Sequence, residues 1–325
     1  MKSIIIQILV IFTSATSAAP EWPEPSGPYL GLDSPGTVPE VFAPGLISFG
    51  FHEYGITFSP AGDEIFFVTA NSTYSYHAII HLKMNGSVWI APEVAGFSGR
   101  FKDSAPCLSP DGKSLFFASN RPLPGDTNIK KDLDIWAVDR KNNSWGEPYH
   151  LGEGINSDDV EGLPWVTGDG TMFFQARREP DMGFDLYYSV SEGGQYVQSH
   201  KIPGSINTEF NECQPFISPD GTLLLFHSDR PGGLGIMDIY VSFRDSNGVW
   251  SEPVNAGSEI NSPFSDYGAR FSPDGKYLFF SSYRSPSQEY YHGKSYKELL
   301  EEFSDPRNGY ATLFWIDAAV LDDLK

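Results

Sequence analysis

The stretch Phe271–Arg284, FSPDGKYLFFSSYR, has the pattern of a strand, a tight turn and a second strand. Near copies occur at Leu108–Arg121, LSPDGKSLFFASNR, and at Ile217–Arg230, ISPDGTLLLFHSDR, and more divergent copies surround Gly62 and Gly170. In Ser-Pro-Asp-Gly, proline presets φ at the second turn position, and glycine adopts the left-handed conformation from which a second strand returns. The strand after the turn is apolar on both faces, so it must be covered on both sides. The stretch predicts a buried β-hairpin that the chain repeats.

The repeat is about fifty residues long. Intervals of 50, 58, 51 and 54 residues separate the turn glycines Gly62, Gly112, Gly170, Gly221 and Gly275. Each hairpin is followed by a third strand-like segment, such as DIWAV or DIYVSF, and then by a weaker fourth, such as GVWSEPVNAG. Four strands per unit, repeated radially, are typical of a β-propeller blade. The predicted fold class is therefore all-β, a five-bladed propeller of four-stranded antiparallel blades.

The last repeat lacks a fourth strand, and the segment 38–48 resembles the fourth-strand phrases. We expect this N-terminal strand to complete the last blade and close the ring, since closure protects exposed sheet edges. The predicted divisions are an extension at 20–37, one propeller domain at 38–318 and a tail at 319–325. The predicted blades span about 50–95, 100–151, 156–202, 207–257 and 261–318.

The phrases SPDGKSLFFASNR…DLDIWAV and SPDGTLLLFHSDRPGGLGIMDIYVS resemble the WD-repeat-like propeller repeats of the TolB type, over roughly residues 38–318. The resemblance implies a periplasmic or secreted propeller. It implies no single function, because such repeats occur in assembly proteins, peptidoglycan-associated proteins and peptidase accessory domains. Peptidases of this kind add a separate hydrolase domain, and this chain contains no GxSxG motif.

Residues 1–19 have the form of a secretory signal peptide: a lysine, an apolar run and small residues before the cleavage site. We therefore expect a secreted or periplasmic protein with no membrane span. A net charge of −20 argues against nucleic acid as a partner. Cys107 and Cys213 permit one disulfide but do not require it. We expect a monomer without cofactor or metal.

An acidic residue stands six positions before the serine or threonine of every turn. The five are Glu53, Asp103, Glu161, Glu212 and Asp266. If the first strand of each blade lines the channel, these carboxylates form a ring at one mouth, flanked by His52, Tyr54 and Tyr267. The ring suits a cation, sugar hydroxyls or an acid/base pair for glycoside cleavage. Alternatively, each carboxylate holds the scaffold of its own repeat. A metal site at His52 and Glu53 would need a third ligand, and we expect ordinary surface or interblade histidines instead.

A second recurring set consists of arginines that end the second strands and aspartates that begin the third strands. They are Arg121, Arg177, Arg230 and Arg284, and Asp134, Asp185 and Asp238. We expect these groups to pair within each blade, because the guanidinium fork matches a carboxylate. Blade 1 has Asn71 and His77 at these places, and blade 5 has Thr312. Specialisation is therefore expected in blades 1 and 5.

Three functions remain open. The first is a binding or assembly module with a glycan or protein ligand at the channel mouth, the second a carbohydrate-active hydrolase or lyase, and the third a structural interaction disc. An enzyme would leave one or two ring carboxylates without a basic partner and with a shifted pKa. The insertion in blade 5 contains the segment Ser295–Phe303, whose pattern predicts an amphipathic helix. We expect the insertion to be a brace or a lid.

Overall fold

The computed structural model describes residues 22–142, 144–178, 183–285 and 293–324. Within them, five small antiparallel sheets form a ring, and the first strands of neighbouring sheets contact one another around its axis. The predicted five-bladed β-propeller is confirmed. The predicted signal peptide lies outside the described residues.

Each blade runs outward from an inner strand at the axis. The inner strands are His52–Phe58, Asp103–Leu108, Val160–Val166, Glu212–Ile217 and Asp266–Phe271. The second strands are Glu64–Ala70, Ser114–Ser119, Met172–Arg177, Leu223–Ser228 and Tyr277–Ser282. The third strands are His77–Asn85, Asp134–Lys141, Asp185–Ser189, Asp238–Phe243 and Thr312–Asp317. The outer strands are Glu93–Val94, Tyr149–His150, His200–Lys201, Val254–Asn255 and Glu40–Val41. Short ribbon strands are Val88–Trp89, Ser144–Trp145, Ser191–Glu192 and Gln195–Tyr196, and the helices are Pro28–Gly31 (3₁₀), Tyr296–Phe303 (α) and Ala318–Leu324 (3₁₀).

The N-terminal strand closes the ring, as predicted. Glu40 pairs with Trp315 and Val41 with Phe314, so a segment from the start of the chain forms the outer edge of blade 5. The residues before it pack on the same seam: the Tyr29 ring lies 6.0 Å from Trp315, and its hydroxyl donates to Asp274. The Tyr29 ring also lies 6.0 Å from the Phe58 ring of blade 1, so the extension fastens blade 5 to blade 1.

The five turns have the predicted geometry. In each blade the glycine N–H donates to the carbonyl three residues earlier, for example Gly112 to Ser109 and Gly275 to Ser272. The five glycines have φ between 70° and 85°. This is the left-handed region that glycine enters without strain.

The core is divided among the seams between blades. The strands Leu223–Ser228 and Ser114–Ser119 are buried along almost their whole length, because a neighbouring blade covers each face. Five apolar clusters result, each drawn from two adjacent blades. Cys107 and Cys213 are buried in the inner strands as free thiols.

The insertion in blade 5 contains the predicted helix, Tyr296–Phe303, with Ser295 and Glu298 forming a capping box. Downstream, the Asn308 side chain donates to the Gly50 carbonyl at 3.0 Å, so the end of the insertion rests on the loop before the blade 1 inner strand. Within the described residues, no helix has the length and apolar character needed to cross a membrane.

Candidate functional site

Each inner strand has a ring carboxylate as its first or second residue and carries a β-bulge two residues after that carboxylate. The pairing with the second strand shifts register there in all five blades. The residues at the bulge have φ between 51° and 70°: Gly55, Ala105, Leu163, Gln214 and Gly268. Three of the five are not glycine, so the ring of packed strands imposes this conformation against a local cost. We call this end of the channel the carboxylate end.

The ring carboxylates are buried, with exposed fractions of 0 to 1%. Four of them pair with an arginine: Asp103 with Arg121 at 2.8 Å, Glu161 with Arg178 at 3.2 Å, Glu212 with Arg230 at 3.0 Å, and Asp266 with Arg284 at 2.8 Å. Each arginine also donates to a carbonyl in the loop that enters its blade and lies over aromatic rings of the second and third strands. These four pairs tie each loop to its own blade.

The predicted pairing of the arginines with the third-strand aspartates is wrong. Asp134 pairs with Lys130 and His150, Asp185 pairs with Lys201, and Asp238 accepts from Asn255 and from backbone N–H groups. The partner in blade 3 is Arg178, whereas Arg177 lies over the Phe184 ring. The reason is strand register. The pairing arginine stands two residues after the second-strand residue that lies opposite the ring carboxylate. In blade 3 that opposite residue is Ala176, so the pairing arginine is Arg178.

Sequence reasoning missed the Ile-Asn-Ser/Thr phrase that precedes three of the ring carboxylates, at 155–157, 206–208 and 260–262. The isoleucine carbonyl accepts from the arginine, and the hydroxyl residue donates to the carboxylate. The asparagine bonds the third strand of the preceding blade; Asn261, for instance, accepts from Ile239 N–H and donates to its carbonyl. We call these hydrogen bonds of the asparagine to the preceding blade the clasp between blades. The recurrence of the phrase is the signal that could have identified it.

Glu53 in blade 1 is the exception in the ring. Its Oε1 accepts from the N–H groups of Phe49 at 3.3 Å and Phe51 at 3.1 Å. Its Oε2 is buried and has no hydrogen-bond partner in the described part of the chain. Asn71 stands where the other blades have arginine, and its side chain instead holds the turn 71–76. Burial raises the pKa of Glu53 to about 7, although the two backbone donors oppose the rise.

Beside Glu53, the carboxylate end carries a cluster of tyrosine and histidine side chains at the seam of blades 5 and 1. We call it the tyrosine cluster; its members are His52, Tyr54, Tyr74, His77, Tyr267 and Tyr283. Tyr74 and Tyr283 share a hydrogen bond between their hydroxyls across the seam. The Tyr267 ring lies 5.9 Å from the Tyr283 ring. At the positions of Tyr54 and Tyr267, blades 2, 3 and 4 have the smaller Ser104, Gly162 and Cys213.

Both histidines of the tyrosine cluster are neutral. The Ala311 N–H donates to His52 Nδ1 at 3.1 Å, so that nitrogen carries no proton. His77 Nε2 lies 2.8 Å from the Tyr74 carbonyl, which can only accept, so Nε2 carries the proton. In the neutral ring Nδ1 therefore accepts from the Tyr54 hydroxyl at 2.6 Å. Burial lowers the pKa of both histidines. It also raises the pKa values of Tyr54, Tyr74 and Tyr267, so their hydroxyls keep their protons.

Two further polar groups at this end of the blade 4 seam are buried without a partner among the described residues: Gln214 Oε1 and His227 Nδ1. The His227 ring lies 5.7 Å from the Tyr267 ring, and burial lowers the pKa of His227 to about 3. Buried polar atoms without partners are rare in folded proteins and need an explanation.

The structure thus brings His52, Glu53, Tyr54 and Tyr267 to one side of the ring and engages the other four carboxylates in ion pairs. The sequence did not single out Tyr74, Tyr283, Gln214 or His227, because nothing in their local pattern places them at the axis. Among the described residues, no group of three His, Cys, Asp or Glu side chains is arranged to hold a metal ion.

No protein-family model matches the chain, and no curated protein matches it. Solved structures do resemble it. One is a protein of Agrobacterium tumefaciens assigned as a TolB: identity is 18%, the match covers 74% of this chain and 73% of that chain, and the TM-score is 0.48. The chain has the β-propeller fold.

Two other structures extend the comparison. The complex of BT0996 with RGII shares 11% identity, with 88% of this chain and 92% of that protein covered and a TM-score of 0.53. A Mycobacterium tuberculosis puromycin-hydrolyzing peptidase shares 15% identity over 74% of this chain, with a TM-score of 0.39, and the match covers 36% of that protein. At these identities the similarity concerns the fold.

Proposed function

We propose that this propeller is a secreted or periplasmic binding module whose ligand, a glycan, contacts the tyrosine cluster at the carboxylate end of the channel. One observation carries the proposal. At the first inner-strand position after the ring carboxylate, two neighbouring blades have tyrosine and the other three have small residues. The carboxylate end of the channel is therefore asymmetric at this position, with the tyrosine rings and hydroxyls on the side of blades 5 and 1.

The chemistry of the tyrosine cluster suits sugar hydroxyls. Its tyrosine hydroxyls and neutral imidazoles offer uncharged donors and acceptors, and the tyrosine rings offer faces for the apolar side of a pyranose. The unpaired Gln214 Oε1 supplies a buried acceptor nearby. A polyanionic ligand is disfavoured by the net charge of −20.

A glycan and peptide binding screen tests the proposal. Tyr267→Phe and Tyr283→Phe each remove one hydroxyl and keep the ring, and we expect each to weaken glycan binding about tenfold. Tyr277→Phe is the matched control, because its hydroxyl bonds Ser34 far from the tyrosine cluster. Unchanged glycan affinity in both cluster variants, or binding of peptides alone, would contradict the proposal.

A carbohydrate-active hydrolase or lyase is the second candidate, and the observation that favours it is the Glu53 carboxyl with its pKa of about 7. Such a group is partly protonated at neutral pH and suits a general acid. Assays for newly formed reducing ends on each bound glycan test this candidate. Release that Glu53→Gln abolishes while binding persists would establish the enzyme, and absence of release would leave the binding module.

A further inference from the structure

A second opening of the channel lies at the opposite end, where the five turns meet; we call it the turn end. A cavity of about 310 Å³ occupies it. The ends of all five inner strands line the cavity, through Phe58, Leu108, Val166, Ile217 and Phe271, together with turn residues such as Pro60, Pro110 and Gly168. Its volume lies at the lower end of the range for small-molecule sites.

Arg270 is the charged residue that lines this cavity. It is 4% exposed, and its Nη1 donates to the carbonyls of Ile56 at 3.3 Å and Pro106 at 2.8 Å. Within the described residues, its Nε and Nη2 have no hydrogen-bond acceptor and no carboxylate pairs with it. Its guanidinium carbon lies 5.5 Å from the centre of the Trp165 ring.

This arginine differs from the four that pair with ring carboxylates. A buried cation without a counter-ion is costly, because desolvation is not repaid by an ion pair. The free edge of a guanidinium donates two parallel hydrogen bonds to a carboxylate. Around it, Trp165 and Phe216 supply aromatic surface. The cavity therefore combines one anion-binding group with an apolar wall.

The rim limits the charge that can enter. The aspartates Asp111, Asp169, Asp220 and Asp274 each follow a turn residue that lines the cavity, and hydrogen bonds from their own turns contribute to holding their pKa values low. Lys113 and Lys276 pair with two of them. With only two of these four carboxylates paired with a lysine among the described residues, the net negative charge near the opening disfavours a multiply charged anion, so a ligand with one negative charge at its buried end fits best.

We propose that the turn-end cavity binds a small monocarboxylic acid with an aromatic or aliphatic body, its carboxylate held by Arg270 and its body packed against Trp165 and Phe216. This site is independent of the glycan proposal, since it lies at the other end of the channel.

Calorimetry of the protein with phenylpropionate and with its neutral amide, phenylpropanamide, tests the site. We expect the acid to bind and the amide to bind about tenfold more weakly or worse, because the amide cannot form the charged pair. Arg270→Gln should abolish the preference for the acid. Gly168→Trp should weaken binding of the acid, because the glycine lines the cavity and a Cβ there meets nothing within 4 Å. Glu53→Gln, at the carboxylate end, is the control and should bind the acid like the wild type.

Equal affinity for acid and amide, or no binding of the acid, overturns the proposal. So does undiminished binding to Gly168→Trp, which would place the acid elsewhere. The comparison of acid with amide uses the unchanged protein, so the test stands even if Arg270→Gln fails to fold.

Discussion

Four blades fasten the start of their inner strand with an arginine, and blade 1 does not. In blades 2 to 5 the ring carboxylate is neutralised, bonded by a hydroxyl residue and tied to the entering loop. In blade 1, Glu53 is equally buried but accepts from two backbone N–H groups, with one oxygen unpaired in the described part. A buried carboxylate at the same position therefore stabilises blades 2 to 5 and destabilises blade 1.

The largest difference should appear when the carboxylate is removed. Glu212→Gln leaves Arg230 buried without its counter-ion, and we expect it to lower the free energy of unfolding by about 3 kcal/mol. Glu53→Gln should not lower the free energy of unfolding at pH 7, since within the described residues no buried cation loses a partner. Urea unfolding followed by tryptophan fluorescence measures both. Equal losses in the two variants would mean that blade 1 is no exception.

The pH dependence sharpens the same contrast. The pKa of Glu53 in the folded protein, about 7, lies above its ordinary value of 4.5, so the folded state binds the proton more tightly than the unfolded chain. The wild type should therefore lose stability relative to Glu53→Gln as pH rises from about 4.5 to 7, by on the order of 2 kcal/mol. Urea unfolding of both proteins between pH 4 and pH 8 measures the difference. A constant difference would show that the Glu53 pKa is not raised.

An arginine can be placed where blade 1 lacks one. Asn71→Arg should bring the pKa of Glu53 down into its ordinary range, because a nearby guanidinium favours the carboxylate. The free energy of unfolding at pH 8 should rise by only about 1 kcal/mol, because the loss of the Asn71 hydrogen bonds in the turn offsets part of the gain from the new ion pair. Carbon-13 NMR of the glutamate carboxyls during titration reports the pKa. A Glu53 that still titrates near pH 7 would show that the pair does not form.

The clasp between blades gives the smallest effect. Asn261 bonds both the N–H and the carbonyl of Ile239, whereas Ser98 at the blade 1 to blade 2 seam accepts only from the Ile79 N–H. Asn261→Ser places at this seam the serine that stands at position 98, and we expect the free energy of unfolding to fall by less than about 1 kcal/mol. Thermal unfolding measures it, with Asn247→Ser, an exposed asparagine in a turn, as the control. A loss as large as that of Glu212→Gln would mean that the clasp, and not the ion pair, dominates the seam.

Much of the fold and part of the site followed from the sequence. The turn phrase, the strands apolar on both faces and the fifty-residue period predicted five blades, and the fourth-strand phrase at 38–48 predicted the closure. The ring of carboxylates and the departure of blade 1 at Asn71 were also visible. The partners of the arginines could not be predicted, because the strand register, including the shift of one residue in blade 3, is set by pairing across the sheet.

The sequence by itself determined the elements whose causes are local: turns set by proline and glycine, strands set by short runs that are apolar on both faces, and the repetition of both. Only the tertiary structure decided which buried charges meet. Glu53 looks like the other ring carboxylates in the chain, and no local pattern marks Arg270 as unpaired. Within the described residues no cation pairs with Glu53 and no anion pairs with Arg270, since their surroundings come from blades distant in sequence. Electrostatic environment depends on distances across the ring, and no local pattern encodes those.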